Sequence, residues 1–305
     1  KIAKGFAKGD FSHLANGMMN QPYPVTVGIC KAYGVLSFPN SQTIIDALNK
    51  LEFFVAVDIL PSETCQIADI VLPDLFFLEE NALEAREYHS LWEQVLIRTG
   101  EPLYDNKGFG EMVNEILKAM GLGDYAIEWK AKRQKTLEEI GTTWEDIIKN
   151  RGVWQNKSNL LPDGNPKPKK EFETASKKLE LDSSMLAEKG YESLPTWHEP
   201  HTSPNAEFPY YFLTNHLPWF RMNKGVNDKN LMELQPENLA YIHPDTAGKL
   251  GVSNDDYVII ESEAGNEMKV RVSVTEGIRP DCVMTEHGYG HWSRASKLLT
   301  ARGVT

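Results

Sequence analysis

The sequence has no excess of positive charge and no long hydrophobic run. Lysine and arginine contribute 32 positive charges against 43 negative charges from aspartate and glutamate, which gives a net charge of −11. Proteins that bind nucleic acid need a basic surface to displace the counterions of the phosphates, so this balance argues against a nucleic-acid partner. No apolar run approaches the roughly 18 residues of a transmembrane helix, and the sequence therefore predicts no membrane span.

Several common site motifs are also missing. The three cysteines, Cys30, Cys65 and Cys282, are too far apart for a CxxC metal site, and they make a poor disulfide framework. The chain contains no GxGxxG, GxxxxGK(S/T), GxSxG or HExxH segment. These absences leave the common nucleotide loops, α/β-hydrolase chemistry and zincin chemistry without support.

The sequence does contain enough residues for two domains and enough apolar mass for a core, since 41% of its 305 residues are hydrophobic. In residues 1–121, the β-branched stretch at 24–30 predicts a short strand, and the continuous apolar run at 53–59 predicts a strand covered on both faces. Between them, apolar residues recur with the spacing of one helical face. Because strands alternate with helices here, we predict a parallel sheet in an α/β domain. The residues of the helical face are Ile44, Ala47, Leu48 and Leu51.

The rest of the chain has a different character. Residues 122–205 combine charged helical patterning with the turn-rich stretch LLPDGNPKPKK, which predicts a helical and proline-rich linker. Residues 206–305 contain short strand patterns separated by turns, and one short helix with Pro244 at its start and Gly251 at its end. Such a set predicts a small closed β-barrel.

Asp58 is a first candidate site residue because it stands at the end of an apolar strand pattern. In open α/β sheets, ligands bind at the carboxyl ends of the strands, so this carboxylate could accept a hydrogen bond from a ribose or a guanine. The alternative is a turn aspartate ahead of a helix that Ser62 caps.

A second group of candidates follows the first strand pattern of the C-terminal region. Thr214, Asn215 and His216 end that strand, and Arg221 lies just beyond it. A hydroxyl, an amide, an imidazole and a guanidinium at one strand end form a donor-rich edge that suits a polyanion. The alternative is an ordinary polar loop.

The segment 286–292, EHGYGHW, is the densest polar and aromatic cluster in the chain. Gly288 and Gly290 would let backbone amides approach a ligand closely. His287 and His291 are four residues apart, but the glycines disfavour a helix and no carboxylate completes a zinc motif, so we predict no metal site. We favour a loop that touches a phosphate-bearing ligand over the alternative, a tight turn whose aromatic residues cap the barrel.

Taken together, these segments resemble the C-terminal half of molybdopterin oxidoreductases of the dimethyl-sulfoxide-reductase superfamily. The resemblance covers nearly the whole chain in order. It implies a partial third domain of α/β type at 1–121, a linker at 122–205 and a six-stranded, double-psi dinucleotide-binding β-barrel at 206–305. The stretches that carry it are SFPN with ALNKLEFFVAVDILPSETCQIADIVLP, FETASKKLEL, FLTNHLPWF with LMELQPENLAYIHPDTAGKLGVSNDDYVIIES, and HGYGHW.

The resemblance implies a molybdenum or tungsten ion held by two molybdopterin guanine dinucleotides. By position, Asp58, Ser62 and Thr64 would serve the nucleotide of the third domain. The residues that would contact cofactor from the barrel are Thr214, Asn215, His216, Arg221, Asn238, His287, Gly288, Tyr289, Gly290, His291 and Trp292. No residue of this chain is expected to be catalytic or to ligate the metal.

The chain departs from the family pattern in two places. It has Tyr33-Gly34 where relatives have Asn-Pro, which puts one nucleotide contact in doubt. It has Ser176-Lys177-Lys178 where the linker usually has Ser-Gly-Lys, which alters the packing expected of that turn. The cysteine motif for a four-iron cluster and the metal-ligating region of the family are also missing. We therefore expect a C-terminal fragment or a separately encoded subunit that is inactive alone.

Within this superfamily, the quoted segments most resemble the catalytic subunits of thiosulfate and polysulfide reductases. This resemblance implies reduction of a sulfur oxoanion or polysulfide in anaerobic respiration. Two alternatives stay open, a stand-alone carrier of the pterin cofactor and a non-redox hydratase of the acetylene-hydratase type. The expected partners are the N-terminal remainder of the enzyme, an iron–sulfur electron-transfer subunit and a small-molecule substrate. Relatives work in the periplasm and in the cytoplasm, and we lean towards the periplasm.

Overall fold

The computed structural model divides the chain into two compact units. One unit joins Lys1–Asp74 with Thr202–Thr305, and the other is Leu75–His201. This grouping differs from the division at residues 121 and 205 drawn from the sequence, and that division stays a prediction. The residues that the structure describes are 24–32, 34–37, 41–80, 82–84, 92–96, 102–139, 141–151, 153–155, 161–163, 165, 167–168, 171–200, 202–220 and 225–293.

The first unit begins with a three-stranded parallel sheet, as the sequence predicts. The strand order is β1-β2-β3, and β2 is central. Its residues 54–57 are buried because both neighbouring strands and a helix cover them. The elements are β1 (Val27–Lys31), a 3-10 turn (Val35–Ser37), α1 (Ser41–Leu48), β2 (Phe53–Asp58), α2 (Glu63–Gln66) and β3 (Ile70–Pro73).

Helix α1 covers one face of this sheet with the predicted apolar stripe. Ile44, Ala47 and Leu48 are buried and form a core with Phe54 of β2 and with Val35. Leu51, the last residue of the predicted stripe, packs at the edge of the same core. Side chains at this spacing share one side of a helix, so burying them against the sheet fixes the orientation of α1.

The C-terminal part of the same unit is a mixed five-stranded sheet with strand order β7-β11-β8-β10-β9. Strands β7 and β11 are parallel, as are β8 and β10, whereas β8–β11 and β9–β10 are antiparallel. Helix α8 (Pro244–Leu250) is followed by its C-cap residue Gly251, whose φ of 68° is left-handed. The elements are β7 (Tyr211–Asn215), α7 (Lys229–Leu234), β8 (Leu239–Ile242), α8 (Pro244–Leu250), β9 (Tyr257–Glu261), β10 (Glu267–Val274) and β11 (Cys282–Glu286).

The predicted closed barrel of six strands is not confirmed. Within the described ranges there are five strands in this sheet and no closed barrel, because its edge strands β7 and β9 do not pair with each other. Residues of both edge strands, among them Phe212 and Ile259, instead line one cavity of about 290 Å³. The sheet therefore curls enough to bring its edges towards a common space, but hydrogen bonds do not join them.

The second unit contains an antiparallel sheet that the sequence does not predict. Its strand order is β4-β5-β6, and β6 pairs with β5 from a distant part of the sequence. A small core of Leu137 and Ile147 lies against Trp144 and Trp154. The elements are β4 (Ala82–Glu84), β5 (Trp92–Leu96), α3 (Phe109–Ala119), a 3-10 turn (Gly123–Tyr125), α4 (Trp129–Glu139), α5 (Trp144–Lys149), β6 (Val153–Gln155) and α6 (Ser184–Glu188).

No helix in the part of the chain that the structure describes is both long enough and apolar enough to cross a membrane.

Candidate functional site

The site lies in the first unit, where α2 contacts the segment that follows β11. One oxygen of Glu63, Oε1, accepts three hydrogen bonds, from Nδ1 of His291 and from the backbone N–H groups of Trp292 and Ser293, each at 3.0 Å. Glu63 is 6% exposed and His291 is 5% exposed. A single buried carboxylate thus joins residues 228 or more positions apart in the sequence.

The turn after β2 places Glu63 at the first position of α2. Asp58 ends β2, and its two oxygens accept from the backbone N–H of Ile59 and from the hydroxyl of Ser62, both at 2.8 Å. Ser62 occupies the N-cap position of α2, but its hydroxyl makes no cap hydrogen bond. The Asp58–Ser62 bond therefore shapes the turn from which Glu63 reaches the C-terminal segment.

The Glu63 carboxyl is ionised at neutral pH. Burial alone raises its pKa, but the hydrogen bond from His291, the charge of His291 and the backbone N–H of Ser293 outweigh burial and lower the pKa to about 2. An ionised carboxylate only accepts hydrogen bonds, so Nδ1 of His291 carries a hydrogen. The other ring nitrogen, Nε2, is left for a different partner.

Several buried polar atoms around the end of β11 have no hydrogen-bond partner among the described residues. They are Nε2 of His287, Nε2 of His291, Oε2 of Glu286 and, near the same loop, Nε1 of Trp219. A buried polar group without a partner costs roughly 1–3 kcal/mol, and native proteins rarely leave several together. Two imidazoles and a carboxylate in this state suit a polar ligand that offers both donors and acceptors.

The two glycines of the loop have the backbone freedom that the sequence suggests. Gly288 has φ 99° and Gly290 has φ 86°, both in the region that favours glycine. A Cβ atom added to Gly290 would meet no atom within 4 Å, so the space beside this backbone is open. A ligand can therefore approach the backbone at Gly290.

Tyr289 lies between these glycines, and its contacts are to protein. Its hydroxyl donates to the backbone oxygen of Gln235 at 2.6 Å, and its ring packs edge-on against Phe220 at 5.8 Å between centroids. Burial, and then the charge of Glu286, raise the pKa of Tyr289, so the hydroxyl stays protonated and remains a donor. The Tyr289 side chain therefore anchors the loop to Gln235, which follows α7, and to Phe220.

His287 is held beside the end of β7. Its backbone N–H donates to the oxygen of Asn215 at 2.7 Å, and its ring lies 4.9 Å from the ring of His216. Burial lowers the pKa of His287, and the charges of His216 and His291 lower it further, so the ring is neutral at pH 7. The end of β7 and the loop after β11 thus form one site.

Two family models match this chain. One, described as "Molybdopterin oxidoreductase", matches residues 14–101, and the other, described as "Molydopterin dinucleotide binding domain", matches residues 210–304. Together they cover more than half of the chain, and the second contains the loop with the unpartnered polar atoms. The chain belongs to the molybdopterin oxidoreductases.

Curated relatives agree with this assignment to the molybdopterin oxidoreductases. The thiosulfate reductase molybdopterin-containing subunit PhsA of Salmonella typhimurium is 24% identical over 96% of this chain and 42% of its own length. Acetylene hydratase of Syntrophotalea acetylenica is 27% identical over 80% of this chain and 34% of its own length. This molybdopterin oxidoreductase chain thus spans about two fifths or less of these relatives.

A solved structure shows the same fold. Acetylene hydratase from Pelobacter acetylenicus matches with a TM-score of 0.76 and 23% identity, over 91% of this chain and 39% of that chain. The small parallel sheet and the mixed five-stranded sheet are therefore those of the molybdopterin oxidoreductase fold. Members of this family use molybdenum with molybdopterin guanine dinucleotide.

The remaining site residues predicted from the family have the following places. The Thr64 hydroxyl is buried and accepts from the backbone N–H of Val35 at 3.4 Å, and Thr214 is exposed on β7. The Asn238 amide accepts from the backbone N–H of Glu286 and donates to its oxygen, at 2.9 and 3.1 Å. Arg221 and Tyr33 lie outside the described residues. The cofactor contacts of all these residues stay predictions.

Two acidic residues of the site are absent from the set predicted by sequence. Glu63 stands between the predicted Ser62 and Thr64, and Glu286 stands directly before the predicted His287. Both are buried, with Glu286 5% exposed. Glu286 lies in the polar and aromatic segment 286–292 that the sequence singles out, whereas Glu63 has no sequence signal beyond its place after a strand, because its partner lies in a distant segment. In the described part of the chain, no three His, Cys, Asp or Glu side chains are grouped to hold a metal ion.

Proposed function

We propose that this chain is the C-terminal, cofactor-binding part of an oxidoreductase that carries molybdenum or tungsten on two molybdopterin guanine dinucleotides. The observation that carries the proposal is the set of unpartnered buried atoms on Glu286, His287 and His291, inside the matched dinucleotide-binding segment. A pterin ring and a pyrophosphate offer N–H donors and oxygen acceptors, which fit a carboxylate and two imidazoles.

The residues of this chain would bind and orient the cofactor. His287, neutral and half-buried, and His291 would face its polar atoms with Nε2, while the backbone at Gly290 would leave room for a planar ring. Asp58 and Ser62 would contact a nucleotide at the carboxyl end of β2. When bound, the cofactor supplies the redox change at its metal. The contacts proposed for Thr64, Thr214, Asn215, His216, Arg221, Asn238, Gly288, Tyr289 and Trp292 belong to the same proposal.

The six-stranded double-psi barrel and the three-segment division also belong to this proposal. The cavity that both edge strands of the five-stranded sheet line supports near-closure of that sheet. The proposed partners are the N-terminal remainder of the enzyme and an iron–sulfur electron-transfer subunit.

We propose a sulfur oxoanion or polysulfide as substrate, since similarity to a thiosulfate reductase subunit extends over 96% of this chain. A hydratase is the second candidate, because an acetylene hydratase matches in both sequence and structure. A cofactor carrier without catalysis is the third.

The test is to purify the protein from a host that makes the cofactor, alone and with any physiological partner that co-purifies. Pterin, guanine nucleotide, molybdenum and tungsten are measured on the same sample, followed by thiosulfate reduction with reduced viologen and by acetylene hydration. The proposal expects pterin with nucleotide, and thiosulfate turnover only in the complete enzyme. Acetylene hydration alone would establish the second candidate, and protein without pterin would contradict all three.

A further inference from the structure

Glu63 is a buried acid whose contacts point to a role in the site. It belongs to the α/β part of the first unit, yet its oxygen Oε1 accepts three hydrogen bonds from the segment after β11. Backbone N–H groups of Trp292 and Ser293 fix the course of that segment, and the bond from Nδ1 fixes the ring of His291. A carboxylate that receives the Nδ1 hydrogen is the usual way to set the orientation and tautomer of a ligand-binding histidine.

We propose that Glu63 is a positioning residue, which holds His291 so that Nε2 is presented to the molybdopterin cofactor. This inference rests on the proposed function. Nε2 of His291 is buried and has no partner in the described ranges, so the clamp leaves one nitrogen free for a ligand. The hydrogen bonds to Oε1 of Glu63 come from His291, Trp292 and Ser293, so Glu63 acts through the ring of His291 and through the loop backbone.

A chain that needed Glu63 only for packing would not need this arrangement. An amide oxygen could accept the same hydrogen bonds, but an ionised carboxylate makes each of them charge-assisted and therefore holds the hydrogen on Nδ1 of a neighbouring imidazole more firmly. The chain offers a comparison in Glu79, a half-buried carboxylate that accepts from the backbone N–H groups of Phe76 and Leu103 at 2.9 Å and contacts no histidine that the structure records.

The first measurement is the rate at which pterin leaves the loaded protein, followed by the fluorescence of oxidised pterin. Glu63→Gln and His291→Gln should each raise that rate roughly 10- to 100-fold, by analogy with the loss of affinity when the partner of a metal-binding histidine is removed. The double variant should release pterin no faster than the faster single variant, since both changes remove one unit. Glu79→Gln is the matched control and should release pterin at the wild-type rate.

The second measurement reports on position without cofactor. In protein labelled with nitrogen-15 at its 8 histidines, His291 is assigned by its loss in His291→Gln. The wild-type ring should show hydrogen on Nδ1, and Glu63→Ala, which removes the acceptor, should shift the ring towards the Nε2-protonated form. A change in stability alone would not move this signal.

The outcomes separate the two ideas. Wild-type release from Glu63→Gln, multiplied effects in the double variant, or an unchanged His291 tautomer in Glu63→Ala would overturn the inference. Wild-type protein that never contains pterin would overturn the proposed function instead, and the tautomer measurement would still decide whether Glu63 positions His291.

Discussion

Asn238 connects the start of β8 to the end of β11, and its removal gives a defined loss of stability. The side chain is 8% exposed. Its Oδ1 accepts from the backbone N–H groups of Leu239 and Glu286 at 2.9 Å, and its Nδ2 donates to the backbone oxygen of Glu286 at 3.1 Å. Strands β8 and β11 pair with each other at Tyr241–Met284 and Ile242–Val283. The Asn238 amide therefore extends their hydrogen-bond ladder.

Asn238→Ala would leave the N–H and the oxygen of Glu286 without these partners in a buried place. Each such group costs roughly 1–3 kcal/mol, so we expect the free energy of unfolding to fall by about 3 kcal/mol. Asn238→Asp keeps both accepted bonds but loses the donated one at neutral pH. Because its protonated form can donate again, the stability of Asn238→Asp should recover towards wild type as the pH is lowered.

The assay is equilibrium unfolding in guanidinium chloride at pH 7, followed by circular dichroism and by tryptophan fluorescence. The control is Asn254→Ala, since exposed Asn254 accepts one hydrogen bond from the backbone N–H of Val274. That change should cost less than about 1 kcal/mol. Equal losses for Asn238→Ala and Asn254→Ala would refute the role that we give to Asn238.

Three further predictions concern the same site. The lowered pKa of Glu63, from 4.5 to about 2, stabilises the fold by about 3 kcal/mol above pH 4.5 and less as the pH falls towards 2. The difference in unfolding free energy between wild type and Glu63→Gln should therefore shrink between pH 6 and pH 3, and a constant difference would contradict it. Tyr289→Phe should cost about 1 kcal/mol in urea unfolding, since it loses only the bond to Gln235. If Tyr289→Phe lost as much unfolding free energy as Tyr289→Ala, the ring would contribute nothing and this prediction would be wrong. Because the pKa of His287 is lowered, its neutral ring contributes fully to the free energy of unfolding above about pH 6.5, and this contribution is lost on acidification. His287→Gln should then reduce the fall in melting temperature between pH 7 and pH 5. An unchanged fall would contradict the lowered pKa of His287.

The sequence predicts the elements that local pattern determines. Phe54 to Val57 are apolar without interruption, which fits a strand covered on both sides, and Ile44, Ala47 and Leu48 recur with helical spacing and are buried together. Pro244 and Gly251 bound their helix as expected. In these cases, backbone preference and burial act over a few neighbouring residues, so the sequence alone is informative.

The contacts between distant segments could not be predicted in this way. Glu63 and His291 meet only after both parts of the first unit have folded, and neither residue carries a periodic signal for the other. The pairing of β5 with β6 joins short strands separated by helices, and their few residues give weak patterns. A closed barrel was expected from the strand patterns, and its six strands from the resemblance, whereas closure depends on pairing that the five strands of the described residues do not provide.

If the loop after β11 holds the molybdopterin cofactor, hydrogen exchange in that loop must differ between loaded and cofactor-free protein. Exchange is read by mass spectrometry on both samples. Cofactor should slow exchange in peptides covering residues 287–293 and 214–216, while peptides covering 141–151 in the second unit should exchange at the same rate in both samples. Protection confined to the second unit, or equal exchange at 287–293 in both samples, would contradict it.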